Sequence, residues 1–263
     1  FYISRIFEFT KIITLTTLIF IVLFLTLYKS LFSYEGNLLL SRKSKKTINQ
    51  YSFLYLFLLL LLTFMTQNKY LNFETITWDI PSYLVASQEI NRGFLPLETQ
   101  WESKGPFFLF LYNFISNIGN NNYLYFKLLN DLVLFISTVF LYSTVSNVYK
   151  NKLKAFACSV LFVLITSHVW FISEFSEIYC LTLISFSHFI YKRYPKNKFL
   201  YFLLGLSISF STLINQGTVI FLIPYLLIMV ITKEKSFLVK IISILSGFLI
   251  PHIFFISYYY TKD

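Results

Sequence analysis

The residues most able to do chemistry in this chain are concentrated in one polar interval, residues 74–106. The interval contains five of the twelve acidic residues, among them Asp79, together with the cations Arg92 and Lys104. A carboxylate can accept a proton and a lysine can hold an anion, so we expect the function of the chain to reside here. The segments on both sides are strongly apolar and act as the scaffold for this interval.

The composition excludes a soluble domain. Hydrophobic residues make up 56% of the 263 residues, charged residues make up only 13%, and the mean hydropathy is +0.65. The interior of a soluble domain could not shelter so much apolar surface, so we predict an all-α, polytopic integral membrane protein. The net charge of +10 comes from short cationic clusters between apolar runs, which is how membrane orientation is encoded, and no nucleic-acid partner is predicted.

The apolar runs predict about seven or eight transmembrane helices, because a helix needs about 20 residues to cross the hydrocarbon. These spans are predicted near residues 11–32, 51–66, 123–148, 155–172, 178–191, 199–214, 217–232 and 237–257. Residues 107–118 are too few for a confident span. They are predicted to lie in the interface or to form a short helix that leads into the next span.

Basic and acidic connectors alternate along the chain. Basic clusters lie at 42–46, 150–154, 192–198 and 233–240, and the connectors between them carry acids or no charge. Because lysine and arginine resist translocation, the basic connectors are predicted to face the cytoplasm and residues 67–106 to form an external, catalytic loop. Residues 1–50 are then an accessory N-terminal transmembrane helix with a basic cytoplasmic connector. Residues 51–263 form the membrane core, which we expect to be truncated at its C-terminus.

A short helix is predicted inside the external loop. Asp79 occupies the position of an N-cap or first-turn carboxylate, Pro81 fits the first turn, and Gly93 ends the helix after Arg92. From spacing alone, helix capping and a chemical role for Asp79 are equally supported. Arg92 can stabilise the C-terminal end of a helix or bind an anion. Lys104 can bind an anion or be an interfacial lysine that extends towards water.

The loop also carries a more specific pattern of residues. An aspartate, a tyrosine four positions later, Gly-x-x-Pro, an acid, and Lys-Gly-Pro opening an apolar helix occur here as Asp79, Tyr83, Gly93, Pro96, Glu102, Lys104, Gly105 and Pro106. This pattern resembles the first external loop of the GT-C membrane glycosyltransferases, notably the protein O-mannosyltransferases and the bacterial lipid A aminoarabinose transferases. Residues 205–224 resemble the paired short helices of that family, with Asn215-Gln216 where the family often has Lys-Gln.

The resemblance implies a GT-C-like fold and transfer of a sugar from a polyprenyl-phosphate carrier, with inversion at the anomeric carbon. The acceptor would be a glycan, lipid or protein hydroxyl on the non-cytoplasmic face of the membrane, which we expect to be a bacterial inner membrane. The implied roles are general base for Asp79 and contact with the donor phosphate for Lys104 and Arg92. Substrate-contacting or supporting roles are predicted for Tyr83, Glu102, Glu174, Glu177 and Gln216.

No metal ligands and no required cofactor are predicted, although a divalent cation is left open. Glu174 and Glu177 are three residues apart at the outer end of two spans, where they can border the site, bind acceptor or a cation, or be plain acids at a wet interface. Asp131 lies inside an apolar span, where Lys127 one turn earlier can pair with it. The chain has no metalloprotease, zinc or nucleotide-binding motif.

Two other classes compete with the enzyme. A transporter or flippase of lipid-linked sugars is also polytopic, basic and aromatic-rich, but transporters place polar groups near the midplane, often in repeated halves. In this chain the polar residues are concentrated in one external loop. A non-catalytic membrane subunit is the third hypothesis.

Overall fold

The computed structural model describes residues 42–67, 79–99, 103–119, 122–167, 174–194, 197–231 and 236–261. The predicted span at 11–32, Glu102 and most of the accessory segment 1–50 lie outside these ranges. All regular structure in the described residues is helical, which confirms the all-α prediction.

Nine α-helices and two 3-10 segments make up the described part of the chain. In chain order the α-helices are α1 (Arg42–Gln67), α2 (Asp79–Gln88), α3 (Pro106–Ile118), α4 (Tyr123–Tyr149), α5 (Lys152–Thr166), α6 (Ser176–Arg193), α7 (Lys198–Ile214), α8 (Leu222–Ile231) and α9 (Phe237–Tyr260). The 3-10 segments extend α2 through Glu89–Arg92 and precede α8 at Gln216–Phe221.

Asparagines mark the starts of several helices. The side chains of Asn122, Asn151 and Asn197 accept backbone N–H groups at the starts of α4, α5 and α7, at 2.9, 3.0 and 3.1 Å. Asn215 does the same for the 3-10 segment that follows α7, at 3.1 Å. An asparagine oxygen satisfies an N–H group that has no partner within the helix, so these residues divide the apolar sequence into separate helices.

Helices α4 and α6 run parallel, side by side. Their contacts keep a nearly constant separation in sequence and pair Lys127 with Glu174, Asn130 with Tyr179, Val133 with Thr182, Ser137 with Ser185 and Asn147 with Arg193. Helix α5, which connects α4 to α6 in the sequence, runs parallel to α1. Hydrogen bonds join Lys152 to Ser52 at one end of this pair and Gln67 to Thr166 at the other. These contacts therefore show which ends of the helices α1, α4, α5 and α6 lie on the same side of the helix bundle.

Helices α7 and α9 pack closely through glycines. An added Cβ on Gly205 would stand 2.0 Å from the Ile244 carbonyl oxygen, and one on Gly247 would stand 2.1 Å from that of Phe202. The Ser209 hydroxyl and the His252 ring nitrogen lie 2.9 Å apart farther along the same interface. Small residues let helix backbones approach in this way in membrane proteins.

Helix directions separate the charges into two ends. The acidic end carries five acids, together with the cations Arg92 and Lys104 that pair with two of them: Asp79, Glu89, Glu98, Glu174 and Glu177. The basic end carries Lys150, Lys152, Lys154, Lys192, Arg193 and Lys240, where α4 and α6 end and α5 and α9 begin. Such a division is expected of a chain whose middle is apolar and whose two ends face different aqueous phases.

The prediction of seven or eight transmembrane helices is not supported by the length and composition of the described helices. In the described ranges, two helices, Tyr123–Tyr149 and Phe237–Tyr260, are long and apolar enough to cross a membrane. The apolar stretches Ser52–Gln67, Pro106–Ile118, Phe199–Ile214 and Gln216–Ile231 have 10–17 residues each. For α3, α7 and α8, capping residues and connectors limit the apolar stretch to fewer than the roughly 20 residues that a simple span requires.

Candidate functional site

Helix α2 is anchored by its inner face and exposes its first residue. Ile80 and Tyr83 are buried, and the Tyr83 ring packs edge-on against Phe108 and Tyr112 of α3, with centroids 5.1 and 5.8 Å apart. Asp79 is the exposed first residue of the helix. The predicted helix start is thus observed, and Tyr83, predicted to support substrate, is packed in the core.

Arg92 lies where the helical segment ends. Its guanidinium contacts the Glu89 carboxylate at 2.6 Å, and the Arg92 side chain is 71% exposed. Gly93 follows in a left-handed conformation with φ of 93°, which confirms the predicted stop. Arg92 therefore suits a surface role at the acidic end, while contact with a phosphate stays a prediction.

Lys104 forms an ion pair with Glu177 across 73 residues of sequence. The Nζ to Oε1 distance is 2.9 Å, and the side chain of Lys104 is only 16% exposed while that of Glu177 is 37% exposed. Burial opposes ionisation of Glu177, but hydrogen bonds from Lys104, the backbone and Ser176 outweigh it and hold the pKa of this carboxyl below its usual value. The lowered pKa favours the ionised form of Glu177, which holds the Lys104 amino group at a defined place.

Gly105 joins the two segments that carry the family resemblance. Its N–H group donates to the Ile214 carbonyl oxygen at 2.8 Å, at the end of α7. Pro106 then begins α3. Asn215 and the exposed Gln216 follow Ile214 directly, so the Lys104-Gly105-Pro106 and Asn215-Gln216 segments lie beside each other.

Replacing Gly105 with alanine is expected to destabilise the chain by about 1–3 kcal/mol, because the new Cβ has no room. It would stand 2.0 Å from the Leu213 carbonyl oxygen, a backbone atom that cannot rotate away. Gly217→Ala is the matched control, since its Cβ would meet only the Asn215 side chain at 3.4 Å. Thermal unfolding in detergent measures both; equal transitions for the two variants would contradict the packing seen here.

Glu174 lies at the centre of a buried ion cluster. Lys127 Nζ lies 3.1 Å from Glu174 Oε1 and 3.8 Å from Asp131 Oδ1, and both carboxylate residues are fully buried. The Tyr123 hydroxyl donates to Glu174 Oε1 at 3.2 Å, and the Tyr112 hydroxyl donates to its backbone carbonyl. The cluster holds the connector before α6 in place.

The two glutamates do not share one helical face as their spacing predicts. Helix α6 begins at Ser176, so Glu174 precedes it and turns inward to Lys127, while Glu177 turns to Lys104. The predicted pairing of Lys127 with Asp131 is present, but Glu174 is the nearer partner. In the described ranges, no three histidine, cysteine, aspartate or glutamate side chains come together to hold a metal ion.

The chain gives no significant match to models of known families, to curated proteins or to solved structures. The resemblance to the GT-C transferases therefore stays a prediction from the residues named above. Geometry alone must support a function.

The structure also contains an apolar groove, whose lining begins three residues after Lys104 and which the sequence does not predict. It has a volume of about 440 Å³ between α3, α7 and α9, and aromatic rings dominate its lining: Phe107, Phe110, Phe210, Phe254, Phe255 and Tyr258. Phe107 is the second residue of α3 and stacks on Phe210 at 4.4 Å. The groove therefore begins within one helical turn of Lys104 along the chain.

Among the predicted site residues, the structure brings together Lys104, Glu177 and the segment of Gln216. Glu174 lies next to them but inside the core. Asp79 has no hydrogen bond or ion pair to Lys104 in the described part of the chain, although α2 and α3, which adjoin the two residues, pack on each other. Pro96 of the loop accepts a hydrogen bond from the Tyr259 hydroxyl at 2.9 Å, so the end of α9 also reaches this region.

Proposed function

We propose that the chain is a polytopic membrane glycosyltransferase that moves a sugar from a polyprenyl-phosphate donor to a hydroxyl of a glycan, lipid or protein. The observation that carries the proposal is the half-buried Lys104–Glu177 pair at 2.9 Å, with an apolar groove starting at Phe107. A cation three residues before the first lining residue of an apolar groove suits a ligand that has a charged phosphate and a hydrocarbon chain.

The donor lies with the start of its isoprenoid chain in the groove and its phosphate at Lys104. The phosphate competes with Glu177 for the Lys104 side chain, and Glu177 acts as a positioning residue that keeps Lys104 oriented before the donor arrives. Arg92 offers a second cation at the acidic end, and Gln216 offers an amide beside Gly105. Glu102 keeps its predicted supporting role, and the proposal requires neither a metal nor a cofactor.

Asp79 is the general base of the proposed reaction. Its carboxylate takes the proton of the acceptor hydroxyl as that oxygen forms a bond to the anomeric carbon. The bond from the anomeric carbon to the donor phosphate breaks on the opposite side of the sugar, and the polyprenyl phosphate leaves with the electron pair. Asp79 begins α2, and Lys104 lies two residues before α3. These two helices pack on each other, which supports joint action of the two residues on one substrate.

The proposed location is a bacterial inner membrane, with the acidic end outside and the basic end in the cytoplasm. The division of charge between the two ends supports this orientation. The large exposed apolar side chains of α8 and α9, such as Ile231 and Ile256 at 75% and 70% exposure, support contact with lipid. The multi-pass topology includes helices shorter than a simple span, whose ends reach the interface by local thinning of the bilayer.

Transfer of radiolabelled sugar from a polyprenyl-phosphate donor by the purified chain in lipid vesicles tests the proposal. Replacing Lys104 with glutamine is expected to lower transfer by about 10–100-fold, the value of one hydrogen bond to a charged group. Lys154→Gln at the exposed basic end is the matched control and should leave transfer unchanged. Uptake of the intact lipid-linked sugar without transfer would instead support a transporter. The absence of both transfer and uptake would support a non-catalytic subunit.

A further inference from the structure

A second cavity lies near the basic end, away from the proposed transferase site. It has a volume of about 370 Å³ between the last turns of α4, the last turns of α6, and α8 with its preceding 3-10 segment. Ile184, Phe221 and Ile228 form much of its apolar wall. We call it the basic-end cavity; its volume lies within the range of small-ligand sites.

Polar groups face the basic-end cavity without satisfying one another. Thr144 lines it and is buried, with 6% exposure, and its Oγ1 has no hydrogen-bond partner among the described residues. His188 and Tyr225 also line it, with ring nitrogen and hydroxyl 3.4 Å apart, a weak contact. A buried hydroxyl that lacks a partner has a free-energy cost, which a polar ligand can remove.

Lys192 supplies a positive charge at the edge of the same cavity. Its side chain is exposed and lies 5.4 Å from the centre of the Tyr191 ring, and no carboxylate lies within ion-pair distance in the described ranges. Lys192 and Arg193 also belong to the basic end, where cationic side chains gather. The electrostatic character of this region favours an anion.

We propose that the basic-end cavity binds the phosphate headgroup of an anionic lipid. The phosphate lies at Lys192, a phosphate or ester oxygen accepts the Thr144 hydroxyl, and the first part of an acyl chain lies along Ile184, Phe221 and Ile228. The cavity is lined by both a cation and apolar side chains, so an amphiphilic ligand fits it best. A free anion would leave the apolar wall uncovered, and an uncharged lipid would provide no negative charge for Lys192. This proposal does not depend on sugar transfer at the acidic end.

Equilibrium binding of radiolabelled dioctanoyl phosphatidate to the purified chain in detergent tests this inference. Lys192→Gln is expected to weaken binding by about tenfold or more, and Thr144→Val, which keeps the side-chain shape, by about three- to tenfold. Lys154→Gln is the control, because it removes an exposed lysine from the same end outside the cavity. Lys192 is exposed, so its substitution leaves the fold intact.

Two further ligands test whether binding needs both the phosphate and the acyl chains. Dioctanoylglycerol, which lacks the phosphate, and inorganic phosphate, which lacks the chains, should each bind at least about tenfold more weakly than the phosphatidate. Unchanged binding in both Lys192→Gln and Thr144→Val would overturn the assignment. Binding of dioctanoylglycerol as tight as that of phosphatidate would remove the role of the charge, and equally tight binding of inorganic phosphate would remove the lipid.

Discussion

Replacing Lys127 with methionine is expected to lower the free energy of unfolding by about 3–5 kcal/mol, the usual loss when one partner of a buried ion cluster is removed. Lys127 lies 3.1 Å from Glu174 and 3.8 Å from Asp131, and none of the three side chains is more than 4% exposed. Without the ammonium group, the buried Glu174 and Asp131 carboxylates lose the cation that they share. Thermal and denaturant unfolding of the purified chain in detergent measures the loss.

Lys154→Met makes the same chemical change at an exposed position and should alter stability by less than about 0.5 kcal/mol. The double variant Lys127→Met with Glu174→Gln should be less destabilised than the sum of its two single variants, because it also removes a negative charge that Lys127 balances. Additive losses would mean that Lys127 and Glu174 do not interact. A Lys127→Met chain as stable as the unaltered one would show that the cluster is not buried as described.

Replacing Asp79 with asparagine is expected to reduce sugar transfer by about 100- to 10,000-fold, the usual contribution of a general base. Asparagine keeps the size of the side chain and its ability to cap a helix, so α2 should still begin at residue 79. The carboxylate that we propose as the base for the acceptor hydroxyl is lost. Initial rates of transfer from a radiolabelled polyprenyl-phosphate donor measure the effect.

The same variant separates the two roles that the sequence left equally supported for Asp79. If Asp79 only caps the helix, Asp79→Asn retains activity, whereas Asp79→Ala loses about 1 kcal/mol of stability. Glu98→Gln is the matched control, since Glu98 is another exposed carboxylate of the same loop. Full transfer activity in Asp79→Asn would exclude this residue as the base while leaving Lys104 open to its own test.

Local features of the sequence predicted the helices well. The start of α2 at Asp79, the stop at Gly93 and the opening of α3 by Pro106 follow from side chains that cap, permit or forbid helical backbone at one position. The lengths of the membrane spans were predicted less well. The break between the predicted runs 199–214 and 217–232 is nevertheless observed, since Asn215 ends α7 and caps the 3-10 segment that precedes α8.

The partners of the charged residues could not be derived from the sequence. The spacing of one helical turn predicts the pairing of Lys127 with Asp131, which is present at 3.8 Å, yet the closer partner, Glu174, lies 47 residues away. Glu177 was grouped with Glu174, but it meets Lys104 across 73 residues. Such pairs depend on how whole helices are arranged, here on the parallel packing of α4 with α6.

By itself, the sequence determined the helical class, most helix boundaries and the separation of acidic from basic connectors. These properties depend on residues close together in the chain and on whether a segment prefers water or hydrocarbon. The tertiary structure alone decided which lysine meets which carboxylate, where Gly105 must be small, and where the apolar groove opens. Each of these requires atoms from distant segments to approach within a few ångströms, and only the packing of the helices creates that proximity.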